Sequence, residues 1–261
     1  MWNLMKALNY QIKRDKVVIT TLLIGLLLPF ISLAVETGFD LSGMSGGLYF
    51  AQYATEYPVI FAIVFVIVVP RISGWDATDQ TMNYEILSGH SRKEIYFTRV
   101  LVSLFWTMLT GIVMMILPQL LITMMNGWGD NVSFADVALR YLLVLFPMFR
   151  LVCELILLTF LMKNCYAAML IGWIGFDAAM IGCMLYKELT DQALGVQLTV
   201  SNLIQLFTLE NYKLLYINGE DIPVFDSALN PSVMESSILV SLLAGVLCLA
   251  LGYAVFQKRD L

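Results

Sequence analysis

The sequence predicts an all-α polytopic membrane protein, a single domain that crosses the bilayer six times. Three observations predict it. Hydrophobic residues make up 59% of the 261 positions and charged residues only 13%, about half of the roughly 25% typical of soluble domains. The mean hydropathy is +0.79. The apolar residues also gather into separate runs, most of them close to the ~20 residues a helix needs to span a bilayer. The net charge of -5 says little about partners, because the side of the membrane on which each charge falls outweighs the sum.

Residues 1–16 alternate apolar residues with Lys6, Lys13, Arg14 and Lys16, the pattern of an interfacial helix lying on the membrane. The first span covers about residues 17–35. A cleaved secretory signal is the competing reading, but the charged leader is long and further spans follow, which favours an uncleaved helix. The second span, about 50–70, is short in its apolar core and recruits residues 50–56 to reach bilayer length. The third, fourth and fifth cover about 100–125, 137–162 and 165–185, and the sixth 237–256. Between the fifth and sixth lies a loop of residues 186–236. Within it, residues 196–207 and 209–217 are apolar enough for amphipathic or re-entrant helices but too short to span. A lid and a simple cap are equally good readings of this loop.

Basic residues set the orientation. With the N-terminus inside, the cytoplasmic side collects Lys6, Lys13, Arg14, Lys16, Arg71, Arg92, Lys93, Arg99, Lys163, Lys258 and Arg259. The other side keeps Lys187 and Lys213, with Arg140 near its interface. This positive-inside bias places both termini in the cytoplasm and the chain in a cell membrane, a bacterial plasma membrane by expectation.

The longest polar stretch on the cytoplasmic side runs from Gly74 to Val100. Residues 74–87 carry Trp75, Met82 and Ile86 at helical spacing and so predict a short amphipathic helix with an anchored face. Asp76, Asp79, Thr81, Asn83 and Glu85 are left to face outward. Gly89 suits a left-handed helix end. Ser91 and Glu94 then have the spacing of a capping box that starts the next helix. A solvated surface helix is the plainer reading of the same pattern.

Three ionisable residues lie inside spans, Arg150, Glu154 and Asp177, where charges are costly and face the bundle interior. Arg150 and Glu154 share a helical face. Arg150 and Asp177 sit at matching depth, roughly 18 Å from the cytoplasmic ends of their helices at about 1.5 Å per residue, so a bridge between the two helices is geometrically allowed. Such a group serves either as a structural clamp or as a transport element. Pro29, Pro118 and Pro147 each fall within a span and remove a helical hydrogen bond. The four cysteines, Cys153, Cys165, Cys183 and Cys248, fall in apolar runs and read as small buried hydrophobes. The single histidine, His90, argues against a histidine metal site. No P-loop or His-Glu-x-x-His pattern occurs in the sequence, which argues against nucleotide binding by that route and against zinc-protease chemistry of that kind. Asp76, Asp79 and Glu85 suit a solvated or protein-facing surface better than a metal.

The segment Asp76-Ala-Thr-Asp-Gln-Thr-Met-Asn-Tyr-Glu-Ile-Leu-Ser-Gly-His-Ser-Arg-Lys-Glu-Ile, placed between the second and third spans, resembles the corresponding segment of type-two ABC exporter permeases, the class containing bacteriocin and lantibiotic immunity permeases. The ending Phe256-Gln-Lys-Arg-Asp-Leu is similar to that family's C-terminus. Gly89-His90 stands where the family often has proline. The resemblance implies a non-catalytic permease whose residues 74–87 form a coupling helix against a separate ATPase, which would bind ATP and Mg itself. It further implies a second permease, identical or homologous, and an amphipathic cargo, a peptide first. Lipid surrounds such a protein, and nucleic acid is no expected partner. A secondary transporter or channel, and a membrane-embedded enzyme, are the competing classes.

Overall fold

The computed structural model describes residues 2–38, 43–78, 82–190, 196–209, 212–217 and 220–258. Helix α1 (Trp2–Ile12) turns its buried Leu4, Leu8 and Ile12 toward the bundle. Asn9 there accepts a 2.7 Å hydrogen bond from the indole N–H of Trp106. Asp15 then caps α2 (Lys16–Thr37), accepting from the amides of Val17 and Val18, as a short acceptor before a helix does.

The second crossing is composite. It consists of α3 (Gly46–Tyr53), a single 3-10 turn (Ala54–Glu56) and α4 (Tyr57–Thr78). The turn lets α3, too short to span alone, complete the apolar stretch. After a six-residue helix α5 (Met82–Leu87) come α6 (Arg92–Asn126), α7 (Phe134–Met162) and α8 (Cys165–Thr190). A short helix α9 (Thr199–Phe207), a hairpin of β1 (Tyr212–Ile217) and β2 (Glu220–Phe225), and α10 (Pro231–Gln257) complete the fold. Among the described residues, six helical stretches are long and apolar enough to cross a membrane. They begin and end close to the expected spans, and the chain is a helical, multi-pass membrane protein. An even number of crossings brings the start of α2 and the end of α10 to one end of the bundle, here called proximal; the other end is distal.

The hairpin corrects one expectation. Residues 209–217 were expected to be helical, but Tyr212–Ile217 pairs antiparallel with Glu220–Phe225, Ile217 opposite Glu220. The intervening residues are Asn218 and Gly219, the pair best suited to a two-residue hairpin connection. An Asn-Gly pair at that place in the sequence favours a hairpin, and a short apolar run does not by itself impose a helix. The segment between α8 and α10 is therefore part helix, part hairpin.

The core follows α4. In that crossing 78% of the apolar stretch is buried, against 17% in α8 and in α10. Phe61, Phe65, Val64, Val68 and Val69 are sealed from solvent and lipid alike. Prolines 29, 70, 118 and 147 all lie within helices that continue past them. Close packing of α6 on α10 is set by Gly252. A Cβ there would come within 2.8 Å of the Tyr96 hydroxyl, which donates a 2.7 Å hydrogen bond to the Leu249 carbonyl.

Replacing Tyr96 by Phe is expected to cost on the order of 1 kcal/mol, the usual net contribution of one such bond. Gly252→Leu is expected to cost more, because it pushes the Tyr96 ring out of its site as well. Thermal unfolding of both variants in detergent checks the order, and equal melting temperatures would show that the contact does not hold α6 to α10.

Candidate functional site

The polar chemistry inside the bundle converges on α9. Two α7 residues bracket it. Arg140, 3% exposed, donates from Nη1 to the carbonyls of Gln205, Leu206 and Thr208 at 3.0–3.3 Å, and from Nε to the Ser227 carbonyl. These first three carbonyls belong to the C-terminal end of α9, where no intrahelical donor remains. At the other end, Arg150 donates to the carbonyls of Val196 and Gln197. It also donates from Nε to Glu154 at 2.8 Å. Both Glu154 oxygens accept from the Thr199 hydroxyl, at 2.8 and 2.9 Å.

The geometry makes α9 antiparallel to α7, with its first turn beside Glu154 and its last beside Arg140. At about 1.5 Å per residue, Glu154 lies roughly 12 Å from the proximal end of α7. The chain thus leaves α8 at the distal end, returns to the bundle's middle depth by Val196, and climbs out again along α9. An acid stands at the helix N-terminus and a cation at its C-terminus, the arrangement the helix dipole favours. A third tie comes from α10. Asn202, fully buried, accepts from Ser237 at 2.8 Å and donates to Ser241 at 3.3 Å. Phe207 completes the seat by packing on Tyr57, Phe61 and Tyr141.

Two cavities flank α9, both also walled by α8. The distal one, about 550 Å³, has Met180, Cys183, Met184 and Ile204 as apolar lining and Lys187, Gln205, Thr208 and Asp226 as polar lining. The deeper one, about 420 Å³, is lined by Arg150, Glu154 and Thr199 at one part of its wall and by Leu158, Leu161, Ile171, Gly175 and Phe176 elsewhere.

A second polar focus lies at the proximal end. Arg99, on α6 and fully buried, donates a 2.8 Å hydrogen bond to Glu85 of α5. Ile86 packs half-buried against the main core. Gly89, at φ +93°, lets the chain turn from α5 into the α6 cap. There Ser91 and Glu94 form a reciprocal capping box. Asp15 adds a 2.7 Å ion pair to Arg71 near the end of α4, and Arg92 donates to the Gln257 carbonyl at the end of α10.

The residues singled out from sequence fall as follows. Trp75 and Asp76 lie in the last turns of α4, and Met82 and Asn83 in α5; the placement of their side chains is not described. Asp79 and Thr81 lie outside the described residues. Of the group expected to face outward, Glu85 has its carboxylate turned to Arg99. Of the stretch expected as a helix over 74–87, residues 74–78 belong to the end of α4 and 82–87 to α5. Arg150 pairs with Glu154, and the bridge to Asp177 does not form. Arg150 instead meets the Val196 and Gln197 carbonyls, and Asp177 sits half-buried on α8 with no ion pair among the described residues. Sequence reasoning missed Asp15, Thr199, Asn202, Ser237 and Ser241. Polar residues clustered in an apolar segment too short to span were the available signal. Among the described residues no three His, Cys, Asp or Glu side chains converge, and none is assigned to a metal. Comparison with known protein families, curated proteins and solved structures found no match.

Removing Glu154 alone leaves the Arg150 guanidinium without its counter-ion, so Glu154→Ala is expected to cost about 3 kcal/mol or more. Replacing both, Arg150→Met with Glu154→Leu, is expected to cost less than that single change. Urea unfolding of the wild type and the two variants in mixed micelles measures this, and a double variant less stable than Glu154→Ala would show that the two residues do not act as a pair.

Proposed function

We propose that this chain is the permease subunit of an ATP-driven exporter, with its basic, proximal end in the cytoplasm. ATP hydrolysis belongs to a separate ATPase subunit, and a second permease, identical or homologous, completes the pathway. Its cargo is an amphipathic molecule, a peptide before a lipid-like compound or drug, and the class extends to antimicrobial-peptide export or immunity. The observation that carries this reading is the Glu85–Arg99 ion pair. It fixes a short helix at the proximal end to the buried face of α6, so that force applied there reaches the bundle without slack.

The neighbouring junctions support the same reading. On one side α4 runs on to Thr78, and on the other the capped start of α6 is at Arg92. An ATPase groove closing on α5 would move α4 and α6 together, which is how hinge closure is passed into a membrane domain. Asp76, Asp79, Thr81 and Asn83 are the proposed contact residues, and Trp75, Met82 and Ile86 the anchors. Glu85 acts from within, by holding the helix in place.

One observation favours a different class. A short helix that re-enters the bundle to middle depth is also a feature of secondary transporters and channels. A tagged chain purified from its own membrane decides between them. Stoichiometric recovery of an ATP-binding subunit is the expected result; transport by the chain alone in liposomes without ATP would favour the other class. Within the complex, Arg99→Met is expected to retain the ATPase but to lower cargo-stimulated ATP hydrolysis about tenfold. Asp79→Asn is expected to weaken the association itself, and unchanged coupling in both variants would remove residues 74–87 from the mechanism.

A further inference from the structure

We infer that the deeper cavity is a binding site, reached sideways from the membrane, for a mostly apolar molecule carrying one hydrogen-bond donor group. Three observations carry it. The cavity, about 420 Å³, falls within the roughly 300–1,000 Å³ of small-molecule sites. Its mouth is on the outer surface of the bundle, because Leu161, Ile171 and Leu198 line it and are 52%, 40% and 41% exposed. At membrane depth, that surface faces hydrocarbon, so a ligand arriving there comes from the lipid phase.

The third observation is chemical. The walls are nearly all aliphatic, from Val66, Leu155, Leu158, Ile171 and Ala179. Against them stands one carboxylate, Glu154, whose side chain is 34% exposed even with Arg150 and Thr199 bound to it. Its remaining lone pairs accept hydrogen bonds, while Arg150 already balances its charge. A hydroxyl, an amide N–H or an amine satisfies it; a purely apolar molecule leaves it facing hydrocarbon, which is costly. An anionic head is disfavoured by the same carboxylate. Gly175 leaves the room, since a Cβ there would meet nothing within 4 Å.

This rests on the exporter reading and deepens its lipid-like branch, by stating where a small apolar cargo rests and how it gets there. Binding is tested on the chain without any ATPase, so its outcome is separate from that reading. The probes are 1-pyrenebutanol and its methyl ether, which share one apolar body and differ in a single donor. Energy transfer from the tryptophans to pyrene is followed for the chain in lipid nanodiscs, with protein-free discs as the reference for partitioning.

The expected result is saturable transfer, with the alcohol bound about tenfold more tightly than the ether, as for one hydrogen bond to a charged acceptor. Gly175→Leu fills the cavity and is expected to weaken alcohol binding about tenfold or more at an unchanged melting temperature. If that variant fails to fold, Ile171→Phe at the mouth serves in its place and is expected to do the same. Equal binding of alcohol and ether, binding untouched by the filling variant, or transfer no greater than in empty discs each overturns the proposal.

Discussion

Inside an apolar bundle no water can reach a backbone group, so each helix end placed there has to meet a donor or acceptor from its neighbours. Helix α9 has both of its ends in that position. Arg140 answers the carbonyls of its last turn, and Arg150 with Glu154 answers the approach to its first. The two arginines stand ten positions apart on α7, about 15 Å along a helix. A nine-residue helix measures nearly the same, about 13.5 Å. The fit between that spacing and the length of α9 keeps the segment between α8 and α10 folded into the bundle, and both cavities are walled by α9 where it is held.

Much of the bundle is cross-tied in this way. Proximally, α2 is joined to α4 by Asp15–Arg71, and α6 to α10 by Arg92 and Tyr96. Distally, Gln119 donates to the Gly46 carbonyl and so ties α6 to α3, while Asn202 ties α9 to α10. Helix α8 is mostly exposed and presents Leu170, Ile174, Ile181 and Met184 outward. It nevertheless walls both cavities. A shift of α8 alone would therefore change the two chambers at once, without breaking the ion pairs that hold α4, α6 and α7.

The spans were legible because hydrophobic length is a property of contiguous sequence, and the Ser91–Glu94 box because its partners are three residues apart. The seat of α9 was not. Asn202 meets Ser237 and Ser241 across a loop and a hairpin, and Arg140 meets carbonyls more than sixty positions away. No periodicity encodes such pairs. Arg150 was noticed as a buried charge, yet the competition between Asp177 and a set of main-chain oxygens for its donors is decided only when the loop's path is known. A short polar helix carries no sign of which face a distant arginine will claim, so spacing alone leaves Glu85 outward.

Helix α6 has 35 residues and so measures about 52 Å, whereas the hydrocarbon layer is only about 30 Å thick. Some 20 Å of it must stand beyond the apolar slab. Rotation of such a rod by about ten degrees around the bilayer midplane displaces each tip by roughly 4–5 Å. A modest rocking within the lipid is thereby magnified at Arg92 and Asn126, where the rod meets the end of α10 on one side and the Met44 carbonyl on the other.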